Sequence, residues 1–585
     1  MKAKMTILTL IVLITLLGIP TAHRAQGTVD VGRERRVISG YVEPNTPGAP
    51  GVMVDPALAA AITDPAAFDP DGRLNLNKAI YVRYFDRNRT APPSAIIVLI
   101  PGTIAGANSF KIVANEIVRL SGGRFEVWAI DRRTNLLEDL AGMIQAENAM
   151  NMAGALGGIN DYLNHAAGPG GYIAANPFSV NKFMAEWGLD VHLRDFKAVV
   201  DQARAITRNV FLGGHSLGSI MTEMFAAYNF DGTAGFELIK GMILMDGTAA
   251  PGAPSSDAQP ISDTAYLDGG AGPLGPMAGL NQLRMPTRRF DPATPSQPGH
   301  ESFLVNPFGP IQFQLAQLGA LLALIDPEGP AVLRQFAPTF VPVPATNAAA
   351  LAMNIDDEFQ DNPTVRFSIG VLATSSGATL DTVATRVNDG SNPNGLWTAR
   401  DLSPQLQRWN PTKDLRGIIP SSVRNASLVD PSDFNTVMRA FLVGDGNGTA
   451  TVGDTNFIEW YFGTRMVLDL FKVIDLGRTP PSQTVIDAQK ARGGNQITLT
   501  ENRRVNVPAL AIRAAEGIIQ SPPPFSPSLA FVFYRQSTSI PGNAFTIREM
   551  RNYAHADVLT SLENTSQQGK NVPEFIIEFV NGGVQ

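Results

Sequence analysis

The 585-residue chain has no cysteine, which excludes disulfides and a lipid-modified cysteine. Histidine is scarce, with six in all, so a histidine-dependent site can be sought by elimination. No H-x-x-x-H pair is present, and no Gly-rich phosphate-cradling loop stands before a lysine. Neither a metal nor an organic cofactor is therefore indicated. Charge is sparse at 17% of residues, and the formal net charge of −7 argues against a nucleic-acid partner. There is no internal repeat at solenoid or propeller spacing. Beyond the first twenty or so residues no segment is long and apolar enough to cross a bilayer, so no transmembrane segment is expected in the mature chain.

What is present begins at the N-terminus. Lys2 and Lys4 precede a largely apolar stretch from Met5 to Ile19, followed by Pro20 and the small-x-small pattern Ala25-Gln26-Gly27. This reads as a secretory signal peptide over residues 1–27, and the expected location is secreted or periplasmic. The remaining length suffices for two or more domains, or for one core with large insertions. The 54 glycines and 43 prolines predict long ordered loops.

Along the chain, Val37–Val42 and Ala79–Tyr84 read as early strands. Ala95–Ile100 is an unbroken apolar run ending at Pro101-Gly102, the pattern of a strand buried on both faces. Ser109–Leu120 reads as a helix capped by Ser109, Phe125–Ile130 as a strand, and Val191–Ile206 as an amphipathic helix. Gly241–Met245, Val507–Ile512 and Phe545–Met550 are further strands, and Glu574–Val580 closes the chain as a helix. Alternating strands and helices predict an α/β chain with a mostly parallel central sheet. The alternation stops between Ala250 and about Arg504. Expected there are Pro310–Ile325 as a helix and another starting at Asn456 with Glu459 in a capping box. The expected organisation is a core over 28–250, an insertion of mainly helical and irregular structure over 251–504, and a second core part over 505–585. Asp445-Gly446-Asn447-Gly448-Thr449 resembles the start of a calcium loop. Ala450 replaces the glycine and Asn456 the acid that such a loop needs, so it reads as an Asx-rich turn.

The most informative motif is Gly214-His215-Ser216-Leu217-Gly218. It stands between the apolar run Asn209–Leu212 and a helix-like run from Leu217 to Tyr228. A strand, sharp turn and helix around such a pentapeptide form a nucleophile elbow, where a strained backbone holds the serine hydroxyl clear of the sheet.

With this motif, the Pro101-Gly102-Thr103-Ile104 turn upstream and a histidine near the C-terminus, the chain resembles the α/β-hydrolase superfamily over roughly residues 35–250 and 505–585. The resemblance implies that Ser216 is the nucleophile. A serine hydroxyl needs a base to take its proton. His23 lies in the leader, His165 in a polar loop, His192 on a helix, His215 beside the serine but aimed away by the turn, and His300 in the Pro-rich insertion. His555 follows the last strand, where the superfamily carries its catalytic histidine. A tetrahedral intermediate needs two backbone N–H donors. Leu217, at the start of the elbow helix, is the first. By resemblance, Thr103 is the second, with Ile104 in reserve and Pro101 replacing the usual histidine.

The triad acid is left with two candidates. In most of the superfamily it follows the strand that is here Val507–Ile512. Spacing from Pro508 lands on Gly517, which has no carboxylate; Glu516 is one residue early. Some members place the acid after the preceding strand, where Asp246 stands, and Asp246 is preferred. Asp557 is expected to cap the helix after His555. The function expected is an exported serine hydrolase that cleaves a carboxylic ester through an acyl-enzyme, with a small-molecule or lipid-like substrate and the insertion as a cap. A peptidase or amidase, an acyltransferase, and a catalytically silent binding protein of this fold are the rival readings.

Overall fold

The computed structural model describes residues 28–42, 62, 64–138, 140–157, 182–251, 259–272, 275–284, 310–336, 338, 341, 343–357, 363–373, 407–411, 430–451, 453–461, 463–519 and 529–584. The leader read at 1–27, His165 and His300 lie outside these residues.

Eight strands form the central sheet: β1 Val31–Ser39, β2 Lys78–Asp86, β3 Ala95–Ile100, β4 Phe125–Asp131, β5 Val210–His215, β6 Gly241–Met245, β7 Ala509–Glu516 and β8 Phe545–Ala554. The helices used below are α1 Lys111–Leu120, α2 Leu189–Ile206, α3 Leu217–Ala227, α4 Pro310–Ile325, α5 Thr464–Lys472 and α6 Val572–Gly583. The strand order is β1-β2-β4-β3-β5-β6-β7-β8. Only β2 runs antiparallel to its neighbours; the pairings from β4 through β8 are all parallel.

Helices cover both faces of the sheet, which is why β3 is apolar at every position. Ile97 and Leu99 enter one core with Val113 and Ile117 of α1 and Phe575 and Ile576 of α6. Ile96, Val98 and Ile100 enter the other with Phe196 and Val199 of α2 and Met221 and Phe225 of α3. Each side chain buried in this way stabilises the fold by about 1.5–3 kcal/mol relative to exposure. The α6 helix starts at a capping box, in which Asn571 accepts from the Glu574 N–H and the Glu574 carboxylate accepts from the Asn571 N–H.

Register sets the position of the site. Ile100 of β3 pairs with Gly214 of β5, and His215 of β5 with Met245 of β6. Met245 also pairs with Ile512 of β7. The residues that follow these strands therefore meet at one edge, the carboxyl edge, where open parallel sheets bind ligands.

After Met245 the chain leaves the sheet and returns at Ala509. The described part of this excursion packs into one apolar cluster, in which Leu318, Leu321 and Leu322 of α4 meet Leu351, Val437 and Phe441. The same cluster reaches Leu136, Leu137 and Trp187 of the sheet-bearing part.

Three expectations need correction. The first strand spans Val31–Ser39 rather than Val37–Val42, because its partner is the full length of β2; Val42 is exposed. Ser109 lies in a short 3-10 turn before α1 and does not cap it. No helix begins at Asn456. Segment 455–459 is non-helical and lies along the turn after β3, with Ile458 opposite Ala105, and α5 starts only after Gly463. Tertiary pairing there outweighs the local capping pattern, because the Glu459 carboxylate is drawn into a buried ion pair.

Candidate active site

Ser216 sits between β5 and α3 with φ 56° and ψ −122°, a conformation that is strained for a residue with a side chain. The surroundings hold it there. The Ser216 N–H donates to the Met245 carbonyl at 2.9 Å. Ser219 Oγ accepts from the Met245 N–H at 2.8 Å and donates to the Gly214 carbonyl at 2.6 Å. The tight turn requires glycine on both sides. A Cβ on Gly218 would lie 1.9 Å from the Ile100 carbonyl oxygen, and one on Gly214 would lie 2.3 Å from Gly218 backbone atoms.

His555 follows β8, and Asp246 follows β6. Both are fully buried, and His555 Nδ1 faces Asp246 Oδ2 at 2.6 Å. The carboxylate is fixed by two further donors, the N–H groups of Ala514 at 3.1 Å and Ile518 at 3.0 Å. The pair therefore defines one tautomer, with the proton on Nδ1 and Nε2 as the basic nitrogen; among the described residues Nε2 itself makes no hydrogen bond. Of the two acids considered, the structure brings Asp246 to His555. Glu516 ends β7 opposite Ala554, half-buried. The physical reason for a glycine at 517 is equally plain: a Cβ there would stand 2.0 Å from Asp246 Oδ2. The Asp246 carboxylate fills the space a side chain at 517 would need.

Two other neighbours of His555 differ from expectation. His215 is not aimed away. Its ring lies 4.3 Å from the His555 ring, and its Nε2 faces the His555 carbonyl oxygen at 2.9 Å. A carbonyl only accepts, so His215 Nε2 must be the donor. Burial holds the His215 pKa well below the ordinary range, which keeps this ring neutral. Asp557 does not cap the following helix. Its buried carboxylate accepts from the N–H of Ala554 at 2.7 Å, the N–H of Ser368 at 3.1 Å and the hydroxyl of Ser432 at 2.6 Å. Burial raises its pKa well above the usual carboxylate range. Ser368 and Ser432 belong to the excursion, so Asp557 ties the histidine loop to it.

The turn after β3 supplies the other side of the site. Leu217 opens α3, so its N–H has no acceptor within the helix. Gly102 packs against the serine: a Cβ there would be 3.1 Å from Ser216 Cβ. Thr103 follows, half-buried, and Ile104 has φ 55°, an outlier for a β-branched residue. Arg132, buried directly after β4, holds this turn by its carbonyls. Its Nη2 donates to the carbonyls of Pro101 at 2.7 Å and Gly102 at 2.9 Å, and its Nη1 to that of Ala105 at 3.3 Å. Nη1 also meets Glu459 Oε2 at 2.5 Å.

Sequence reasoning missed Arg132, Glu459, Ser219 and the contact made by His215. It also missed Glu223 on α3, whose buried carboxylate accepts from the Thr248 hydroxyl at 2.6 Å and the Ala249 N–H at 2.7 Å. One signal was available for Arg132: the charged run Asp131-Arg132-Arg133 directly follows a buried strand, and buried charges need partners. His192, on α2, is fully buried, and burial together with the nearby charges of Arg132 and Arg133 holds its pKa well below the ordinary range. Among the described residues no group of three or more His, Asp and Glu side chains could hold a metal ion, and no helix is long and apolar enough to cross a membrane.

The order of strands, the elbow after β5, and an acid and a histidine at the ends of β6 and β8 give this chain an α/β-hydrolase fold. No protein-family model and no curated protein sequence matches it. Solved structures similar to it include a candidate lipase from Sulfolobus solfataricus, at 12% identity over 87% of this chain and 90% of that one, with a TM-score of 0.39. An epoxide hydrolase from Vigna radiata is 11% identical over 86% and 94% of the two chains, with a TM-score of 0.32. An esterase from Thermogutta terrifontis is 10% identical over 87% and 96%, with a TM-score of 0.29.

Proposed function

We propose that this chain is an exported serine hydrolase that cleaves carboxylic esters through an acyl-enzyme. The observation that carries the reading is the Asp246–His555 pair, 2.6 Å apart, beside a serine with a strained elbow backbone. The roles follow from the chemistry. His555 Nε2 takes the proton of Ser216 as Oγ attacks the ester carbonyl carbon. Asp246 holds the ring and stabilises the imidazolium. The N–H groups of Leu217 and Thr103 receive the oxyanion, and Ile104 N–H is the reserve donor. His555 then returns its proton to the leaving alkoxide, and water repeats the sequence on the acyl-enzyme.

Segment 251–504 acts in this reading as the cap. Three of its aromatic rings, Phe367, Phe441 and Phe457, cluster between the Thr103 turn and the histidine loop, with Phe441 and Phe457 stacked at 4.7 Å. The adjoining backbone reaches both places: the Gly106 N–H donates to the Phe457 carbonyl at 2.8 Å, and the Ala556 N–H to the carbonyl of Arg366, directly before Phe367, at 3.0 Å. An apolar surround of this kind favours an ester with a bulky or apolar group, including lipid-like esters. The leader at residues 1–27 supports export, to the periplasm or beyond.

The test is turnover of p-nitrophenyl esters of increasing acyl length against matched peptide anilides. Ester turnover that rises with apolar length and vanishes in Ser216→Ala is expected. Turnover of anilides at comparable rates would make the chain an amidase instead, and Ser216→Ala with full activity would remove the nucleophile from this account.

A further inference from the structure

The turn that carries Thr103 and Ile104 is unusual in how it is held. Three of its carbonyls, those of Pro101, Gly102 and Ala105, accept from one guanidinium, that of Arg132. A peptide whose carbonyl is fixed on one side presents the adjoining N–H on the other, so Arg132 sets where the turn's N–H groups aim. Arg132 is fully buried in its side chain, as is Glu459, the carboxylate it meets. Glu459 is fixed in its turn by the Thr134 hydroxyl, which donates to Oε1. Its backbone is fixed as well, since the Glu459 N–H donates to the Ile104 carbonyl at 2.8 Å. Glu459 therefore grips the turn twice, through its own backbone and through Arg132. It comes from the excursion that otherwise supplies the cap.

We infer that Glu459 is a positioning residue for the oxyanion turn: by fixing Arg132 it aims the Thr103 N–H, so the inserted segment is part of the catalytic support as well as the cover of the site. The inference rests on the serine-hydrolase reading above. Leu217 is held by helix α3 and needs no such help; Thr103 lies on a turn with a positive φ at its neighbour and does. A buried ion pair contributes little net stability compared with an apolar pair of the same shape, because desolvation offsets the attraction. A role in placing a donor gives the pair a reason to exist that stability alone does not.

The experiment compares Glu459→Gln and Arg132→Lys with the wild-type chain, using a carboxylic ester and its thionoester. Gln keeps an oxygen for Arg132 and an amide for Thr134, and loses only the charge. Lys keeps the charge but offers one nitrogen where Arg132 meets four acceptors. A hole set for oxygen favours the oxygen ester strongly, since sulfur is larger and accepts weakly. We expect kcat on the oxygen ester to fall about tenfold or more in each variant, short of the roughly hundred- to thousandfold loss seen when an oxyanion donor is removed outright. KM should stay within about twofold, and the preference for oxygen over sulfur should narrow by at least threefold. Glu328→Gln, which breaks an exposed ion pair with Arg408 elsewhere in the excursion, serves as the control and leaves all three values unchanged.

Unchanged kcat in folded Glu459→Gln and Arg132→Lys, or equal loss on both esters, would overturn the inference. Loss of the fold in both variants would overturn it too, by marking the pair as a folding element. The underlying reading fails separately, through an active Ser216→Ala chain.

Discussion

At the scale of single residues, the site depends on which carboxylate meets His555. Asp246 approaches Nδ1 at 2.6 Å and accepts two backbone N–H bonds besides. Replacing it with Asn puts an amide where the ring N–H needs an acceptor, which favours the wrong tautomer. We expect Asp246→Asn to lower kcat by about four orders of magnitude with the fold intact, and Glu516→Gln to change it by less than about threefold. A steady-state comparison of the two variants checks this; a silent Asp246→Asn with a crippled Glu516→Gln would reverse the assignment. Sequence alone left the two acids open for a local reason. Both stand at strand ends, and nothing in the order of residues says that Gly517 lacks a side chain because the Asp246 carboxylate occupies that space.

At the scale of elements, the elbow helix α3 does more than present Ser216. Its Glu223 carboxylate takes hold of the loop after β6 through Thr248 and Ala249, directly after Asp246-Gly247. Burial pushes the Glu223 pKa up to about 8. The folded chain thus keeps a proton on Glu223 between the ordinary carboxylate range near ~4.3 and about 8, where the unfolded chain has lost it. Its contribution to stability is complete below the unfolded value and is lost as the pH rises through about 8. Glu223→Gln removes this dependence and can still bond the Ala249 N–H and Thr248. We expect its Tm to exceed that of the wild type at about pH 9 and to lose that advantage at about pH 5. Thermal melts at the two pH values check this, and a Tm difference independent of pH would contradict it.

The elements themselves were legible to different degrees. The runs that became β3 and β6 are apolar throughout because both faces are covered, so pattern and length sufficed; in β5 the apolar run Val210–Leu212 and the elbow motif after it served together. The segment at 456 misled, since Asn456 and Glu459 have the spacing of a capping box. Their side chains are used at long range instead: Asn456 meets Glu138, and Glu459 meets Arg132, more than three hundred residues away. No local signal marks such partners.

At the scale of the molecule, the excursion from the sheet is anchored to both halves of the site. Segment 455–459 lies along the Thr103 turn, and Ser368 and Ser432 bind the Asp557 carboxylate beside His555. Hydrogen bonds from buried groups fasten the excursion at the Thr103 turn and at the histidine loop; swinging that edge away would break both. The absence of native cysteine makes the point testable. Ala105 and Ile458 face each other across an antiparallel bridge whose flanking hydrogen bonds place them as a close pair. An Ala105→Cys, Ile458→Cys chain, once oxidised, should keep its kcat within about twofold of the reduced form, a margin smaller than the effect of losing any one catalytic donor. Activity that disappears on oxidation and returns on reduction would show that this edge must open.

The central claim is that Ser216 is a nucleophile activated by His555 and Asp246. Its most direct test is covalent labelling with a fluorophosphonate, followed by mass spectrometry of the intact chain and its peptides. The account predicts one adduct per chain, located on Ser216, absent from Ser216→Ala and greatly slowed in His555→Ala. A folded wild-type chain that takes no label, or carries it at another residue, would contradict it.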